Sequence, residues 1–164
     1  MRKYVSTKSN FFEIKLKNSK GRTIKERAIQ EEGDETIHPL AGAFLEKHTS
    51  YSIADFEAKF WVNFSRITLV SKSFTERVTL DIDLTFKHES TLSSLHGFVI
   101  AEVKEEMHNR SFFSSLMKQH LIRPDTISKY CVGVATLFKT VKANNFKSQL
   151  LSINKLIHDT VTSA

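Results

Sequence analysis

The chain has 164 residues, enough for one domain with a single core, and its 40% apolar and 26% charged content sets it among globular proteins rather than disordered ones. A net charge of +6 points to acidic partners: nucleic acid, phosphate polymers or an anionic membrane surface. The one cysteine, Cys131, excludes an intramolecular disulfide and a cysteine zinc cluster and implies a reducing compartment, the cytosol, while no window approaches the roughly 18 apolar residues of a membrane span.

Met1 to Val5 carries Arg2, Lys3 and Tyr4 and reads as the tail of a strand that starts upstream of the chain. Phe11 to Lys17 alternates apolar and charged residues with period two, which predicts a strand with one apolar face and a wet face bearing Glu13, Lys15 and Lys17. Asn18 to Arg22, with Gly21 able to take positive φ, predicts a turn, so Phe11 to Ile29 forms a hairpin whose second strand puts Thr23, Lys25 and Arg27 on one face.

An acidic loop follows at 31–35, and Pro39 suits a helix start. Two short helices are predicted next, one from the spacing of Leu40, Phe44 and Leu45 and one from Ile53, Phe56 and Phe60. Asn63 to Val70 is a less regular strand carrying Arg66 and Thr68, and Ser71 to Glu76 turns it into the cleanest alternation of the chain. There Val78, Leu80, Ile82, Leu84 and Phe86 oppose Arg77, Thr79, Asp81, Asp83 and Thr85. Val99 to Lys104 repeats the Glu-x-Lys pair of the first strand as Glu102 and Lys104. Ser111 to Gln119 predicts a helix with Phe112, Phe113, Leu116 and Met117 inward. Pro124 to Ser128 opens another, and Phe146, Leu150, Ile153 and Ile157 recur with the period of a terminal amphipathic helix. If the strands share a sheet that curls with its charged faces inward, the outcome is a polar tunnel of Lys and Arg with a few carboxylates, a lining suited to a polyanion and a divalent metal.

Taken in order, Phe12-Glu13-Ile14-Lys15, Gly21 to Arg27, Arg66, Arg77 to Asp81, Glu102-Val103-Lys104 and Ser128-Lys129-Tyr130 resemble the VTC domain. This is the polyphosphate polymerase domain of the vacuolar transporter chaperone family, within the CYTH-like triphosphate tunnel metalloenzymes, and the likeness runs from about Arg2 to about Gly133. It implies an α+β fold: an antiparallel β-barrel tunnel with flanking helices and a C-terminal amphipathic helix. It implies Arg66, Arg77 and Lys129 as catalytic cations and Arg2, Lys15, Lys25, Arg27, Lys104 and Ser128 as phosphate-binding residues. Glu102, together with Glu13, would hold Mn²⁺ or Mg²⁺. The family domain normally begins further upstream, so one arginine of its Arg-x-Arg strand and a lysine of its tunnel wall fall outside this chain. Phe64 stands where an aromatic hydroxyl is often found.

The activity so implied moves the γ-phosphate of ATP to a polyphosphate chain. Two rivals accompany it: a triphosphatase that uses water as acceptor, and a non-catalytic polyphosphate-binding subunit. No specific nucleic acid is expected as partner, and a membrane protein is the expected route to any membrane. Charged strand faces are also ordinary solvated surfaces whose ion pairs contribute about 0–1 kcal/mol. Asp83 reads as a spacer between cations, whereas Asp81 is open between metal ligand and ion-pair partner. Lys129 sits at a helix start, where the dipole offers its charge nothing, so an anion nearby is the better reason for it.

Overall fold

The computed structural model describes residues 1–17, 19–30, 39–105 and 111–161, and of 39, 40 and 159–161 only the backbone. Asn18 of the predicted turn and the predicted acidic loop at 31–35 lie outside these residues. The chain divides into two compact units, Met1–Ala58 and Lys59–Ala164, described here in turn.

The first unit is a three-stranded antiparallel sheet in the order β1-β2-β3: β1 is Arg2–Tyr4, β2 Ser9–Lys17 and β3 Thr23–Gln30. The alternation of β2 works as its pattern predicts. Ile14 is buried and Phe12 meets Phe44 edge-on at 6.3 Å, so the apolar face packs beneath α1, Pro39–His48, whose Ala41 and Leu45 are buried. Gly21 takes a φ of +76° in the β2–β3 hairpin, a conformation that costs a residue without Cβ nothing. The predicted helix over Ile53 to Phe60 shrinks to one 3₁₀ turn at Ile53–Asp55. Ser52 and Asp55 close a reciprocal capping box around that turn, and Phe56 is already extended. The apolar spacing there reflects two separate destinations, since Phe60 belongs to the core of the second unit.

In the second unit β5, Glu76–His88, is the central strand. It pairs along one edge with β4, Trp61–Val70, and along the other with β6, Thr91–Ser94, and β7, Ile100–Glu105, all antiparallel. β6 was not legible as a strand, being four residues of middling propensity. The irregularity expected in β4 proves to be a register shift between Asn63 and Ser65, opposite Asp83, whose φ of +55° marks a bulge in β5. Helices α2, Phe112–Gln119, α3, Lys129–Leu137, and α4, Lys147–Val161, complete the unit. Leu84, Phe86, Leu95, Val132 and Ile153 form its buried core. Phe60, Val62, Leu150 and Ile157 pack around it, so the terminal stripe docks as predicted. Phe112 does not: it is exposed at the first position of α2, while Phe113, Leu116 and Met117 are half-buried.

The architecture is therefore α+β with antiparallel sheets. Strand pairing among the described residues stops at one sheet of three strands and one of four, and neither closes into a barrel.

Candidate functional site

Each unit sets some of its cations around one carboxylate whose side chain is nearly covered. In the first, register decides the arrangement: Glu13 lies opposite Arg27 and Lys15 opposite Lys25, so all four project from one face, together with Arg2 opposite Phe11. The Glu13 Oε2 accepts from Arg27 Nε at 2.8 Å and pairs with Lys25 Nζ at 2.9 Å, while Oε1 takes Arg2 Nε at 3.3 Å and Lys15 Nζ at 3.7 Å. Burial alone would push this carboxyl up, but hydrogen bonds from Lys25 and Arg27 and the charge of Arg2 outweigh it and hold the group at about 2. Arg27 also lies over the Phe11 ring, 5.7 Å from its centroid.

In the second unit the polar face of β5 runs Arg77, Thr79, Asp81. Cross-strand partners from β4 are Val70, Thr68 and Arg66, and those from β7 are Lys104, Glu102 and Ile100. Asp81 is buried and holds Arg66 side-on, Nε to Oδ1 at 2.6 Å and Nη2 to Oδ2 at 2.7 Å. Lys129 reaches the same Oδ2 at 2.5 Å from the first turn of α3. Burial opposes ionisation here too, and the hydrogen bonds of Arg66 and Lys129 overcome it, so the Asp81 pKa falls below the ordinary carboxylate value. Two features let α3 come so close. Ser128 caps the helix by accepting from the Cys131 N–H, and Gly133 has no Cβ where Phe60 and Phe86 atoms would stand 2.4 and 2.7 Å away.

Arg77 and Lys104 face each other across β5 and β7, as Lys15 and Lys25 do across β2 and β3. Like charges directly opposite are unfavourable unless an anion intervenes. Glu13 is that anion in the first unit. In the second, Glu102 pairs with Lys104 at 3.2 Å, and among the described residues Arg77 makes no ion pair. Thr79 Oγ1, on the same face, is buried without a hydrogen-bond partner among the described residues.

A family model described as the VTC domain matches residues 1–138. The chain belongs to that family. No curated protein and no solved structure matches it.

The VTC membership explains why the strand-borne cations recur in order, and the coordinates sort the predicted residues into two groups. Arg2, Lys15, Lys25, Arg27 and Glu13 come together in one unit. Arg66, Arg77, Lys104, Glu102, Ser128 and Lys129 occupy the other, with Arg66 and Lys129 in contact with one carboxylate and Arg77, Glu102 and Lys104 adjacent along β5 and β7. Hard cations such as Mg²⁺ and Mn²⁺ bind through one or two carboxylates completed by phosphate oxygens. Glu102, half exposed beside a lysine, fits that donor set. Glu13 sits among four cations, where a divalent metal would add two further positive charges. Among the described residues no three His, Cys, Asp or Glu side chains cluster as metal ligands.

Three contributors were not legible as such. Asp81 was undecided, although its pairing with Arg66 follows once the β4–β5 hairpin is registered. Phe64 carries two cations on its ring, Arg66 at 5.2 Å and Lys129 at 4.9 Å from the centroid. Glu76, beside Arg77, accepts from the N–H groups of Phe112 and Phe113 and from the Ser111 hydroxyl, tying the start of α2 to the polar strand. No local pattern announces that contact.

Proposed function

We propose that the chain is a phosphotransferase domain of the polyphosphate polymerase type, which passes the γ-phosphoryl group of ATP to the end of a polyphosphate chain. A terminal phosphate oxygen of the chain attacks the γ-phosphorus, the bond to the β-phosphate oxygen breaks, and ADP leaves. The observation that carries this reading is the grouping of eight predicted cations, seven on two strand faces and Lys129 on α3, with Glu13 holding four of them and Asp81 two.

Phosphoryl transfer needs charge compensation and alignment more than covalent help. In this reading Arg2, Lys15, Lys25, Arg27, Lys104 and Ser128 hold phosphates of the polymer or nucleotide. Arg66, Arg77 and Lys129 compensate the charge that spreads over the transferred group, arginine forks matching phosphate oxygens two at a time. A divalent metal, Mn²⁺ or Mg²⁺, would be held by Glu102 and would neutralise phosphate oxygens. Glu13 serves as counter-charge to its four cations. The tunnel of the family, a cytosolic location and a membrane-protein partner belong to the proposal as well.

The test is product analysis of the full chain with ATP and Mn²⁺. Long polyphosphate that disappears in Arg77→Ala is the expected result. Orthophosphate alone would favour the triphosphatase reading. Tripolyphosphate binding without turnover would favour the non-catalytic subunit, and binding of an oligonucleotide that tripolyphosphate cannot displace would overturn the assignment.

A further inference from the structure

We propose that Asp81 is a positioning residue, a buried clamp that fixes Arg66 and Lys129 on one carboxylate so that both cations are presented to the same phosphate. The second half of that statement rests on the polyphosphate reading above; the clamp itself does not.

A carboxylate withdrawn from water is strongly unfavourable unless it is paired and hydrogen-bonded, and Asp81 is 1% exposed. Its two oxygens receive three donors from two elements: the side-on edge of Arg66 on β4 at 2.6 and 2.7 Å, and Lys129 on α3 at 2.5 Å. Lys129 stands in the first turn of α3, where the positive end of the helix dipole works against an ammonium, so its place there is explained by Asp81 and not by the helix. Both cations also lie against the Phe64 ring, which restricts them from a second direction. Asp81, Arg66 and Lys129 together carry one net positive charge. Cations already engage both oxygens, which sets Asp81 apart from a metal ligand such as Glu102.

An arginine and a lysine on flexible stems, held by a shared acid, reach an anion without first losing their rotamer freedom. Misplacement of such groups by about 1 Å costs on the order of 100-fold in rate. The consequence for Asp81→Asn is therefore functional as well as structural. The amide keeps the volume but removes the charge, and it points its own donor at one of the two cations.

Two readouts on the full chain test this. The first needs no ligand: the Nε–Hε resonance of Arg66 in ¹⁵N NMR is expected to be single and protected from exchange in the wild type and averaged in Asp81→Asn. An Arg66 signal unchanged by Asp81→Asn overturns the clamp. The second is titration with tripolyphosphate. Asp81→Asn is expected to weaken binding about 10-fold in the wild-type background and less than about 2-fold once Arg66→Ala and Lys129→Ala are present. Equal losses in both backgrounds would mean that Asp81 acts through general stability, and would also overturn the clamp. Should Asp81→Asn fail to fold, Asp81→Glu replaces it in both readouts. It keeps the charge and moves it by one methylene, so the clamp predicts a disturbed Arg66 signal and weaker tripolyphosphate binding, whereas a role of charge alone predicts wild-type behaviour in both. A wild type that shows the ordered Arg66 signal but binds no tripolyphosphate overturns the polyphosphate reading and leaves the clamp supported.

Discussion

The carboxylate of Glu13 and that of Asp81 solve one problem by different means. Glu13 collects four cations from three consecutive strands, and every one of those contacts follows from strand register within residues 2–27. Its cations are 36–57% exposed at the side chain, so each is still substantially hydrated. Among the described residues Asp81 pairs with two, Arg66, 36% exposed, and Lys129, which arrives on a helix from far along the chain and is 21% exposed. The first cluster is an open basic face with an acid at its centre, and the second is a tighter, drier clamp. One motif chemistry, acid among cations, thus yields an open face when it is built by neighbouring strands. It yields an aligned pair when a packed helix completes it.

The comparison breaks most visibly in activity. Lys129→Ala, which removes a cation held by Asp81, is expected to lower polymer synthesis about 100- to 1,000-fold, equivalent to roughly 3–4 kcal/mol of transition-state stabilisation. Lys15→Ala, at the open Glu13 face, is expected to raise KM while kcat moves much less, because an exposed contact holds ground state and transition state alike. Comparable kcat losses at the two positions would erase the distinction.

Acid titration sharpens it next. The Glu13 carboxyl is depressed from 4.5 to about 2, so the stability it contributes is present above pH 4.5 and is lost as the pH falls through 4.5 towards 2. With its partners partly exposed and screened, that contribution is on the order of 2 kcal/mol. Denaturant midpoints measured between pH 6 and 2.5 should fall more in the wild type than in Glu13→Gln; parallel slopes would count against a cation-bound Glu13.

Packing tests the drier cluster. Gly133→Ala would press a methyl into Phe60 and Phe86 and is expected to cost about 1–3 kcal/mol in a chemical melt, with weakened phosphate binding as α3 and Lys129 shift outwards. The smallest effect is expected at the helix start tied to β5. Glu76→Ala removes the acceptor of two backbone N–H groups and the Ser111 hydroxyl, and should cost about 1–2 kcal/mol, seen as faster amide exchange at Phe112 and Phe113.

What was legible in the sequence follows the same division. The charged face of β2 and β3 reads directly from period-two alternation, because neighbouring strands need only register to meet. The helix start at Pro39 reads from the place proline takes in a first turn, the helix from Ser111 reads from its apolar residues, and the terminal stripe reads from its 3.6 period. Phe56 and Phe60 misled because helical spacing over a few residues also fits a chain passing between two cores. β6 was too short to signal itself, and the bulge at Asp83 needed the pairing with β4. The role of Asp81 depended on the docking of α3 through Gly133, a tertiary event with no local signature. The closed tunnel was expected from family resemblance, and strand alternation alone carries no instruction for closure.

The proposed function has the cations of each unit converging on phosphate. A crystal structure of the full chain with tripolyphosphate tests that most directly. We predict phosphate oxygens within hydrogen-bond reach of Arg66, Arg77 and Lys129 or of Lys15, Lys25 and Arg27, with Asp81 still holding Arg66. Tripolyphosphate seated on other surface lysines, with both acid-centred clusters untouched, would contradict it.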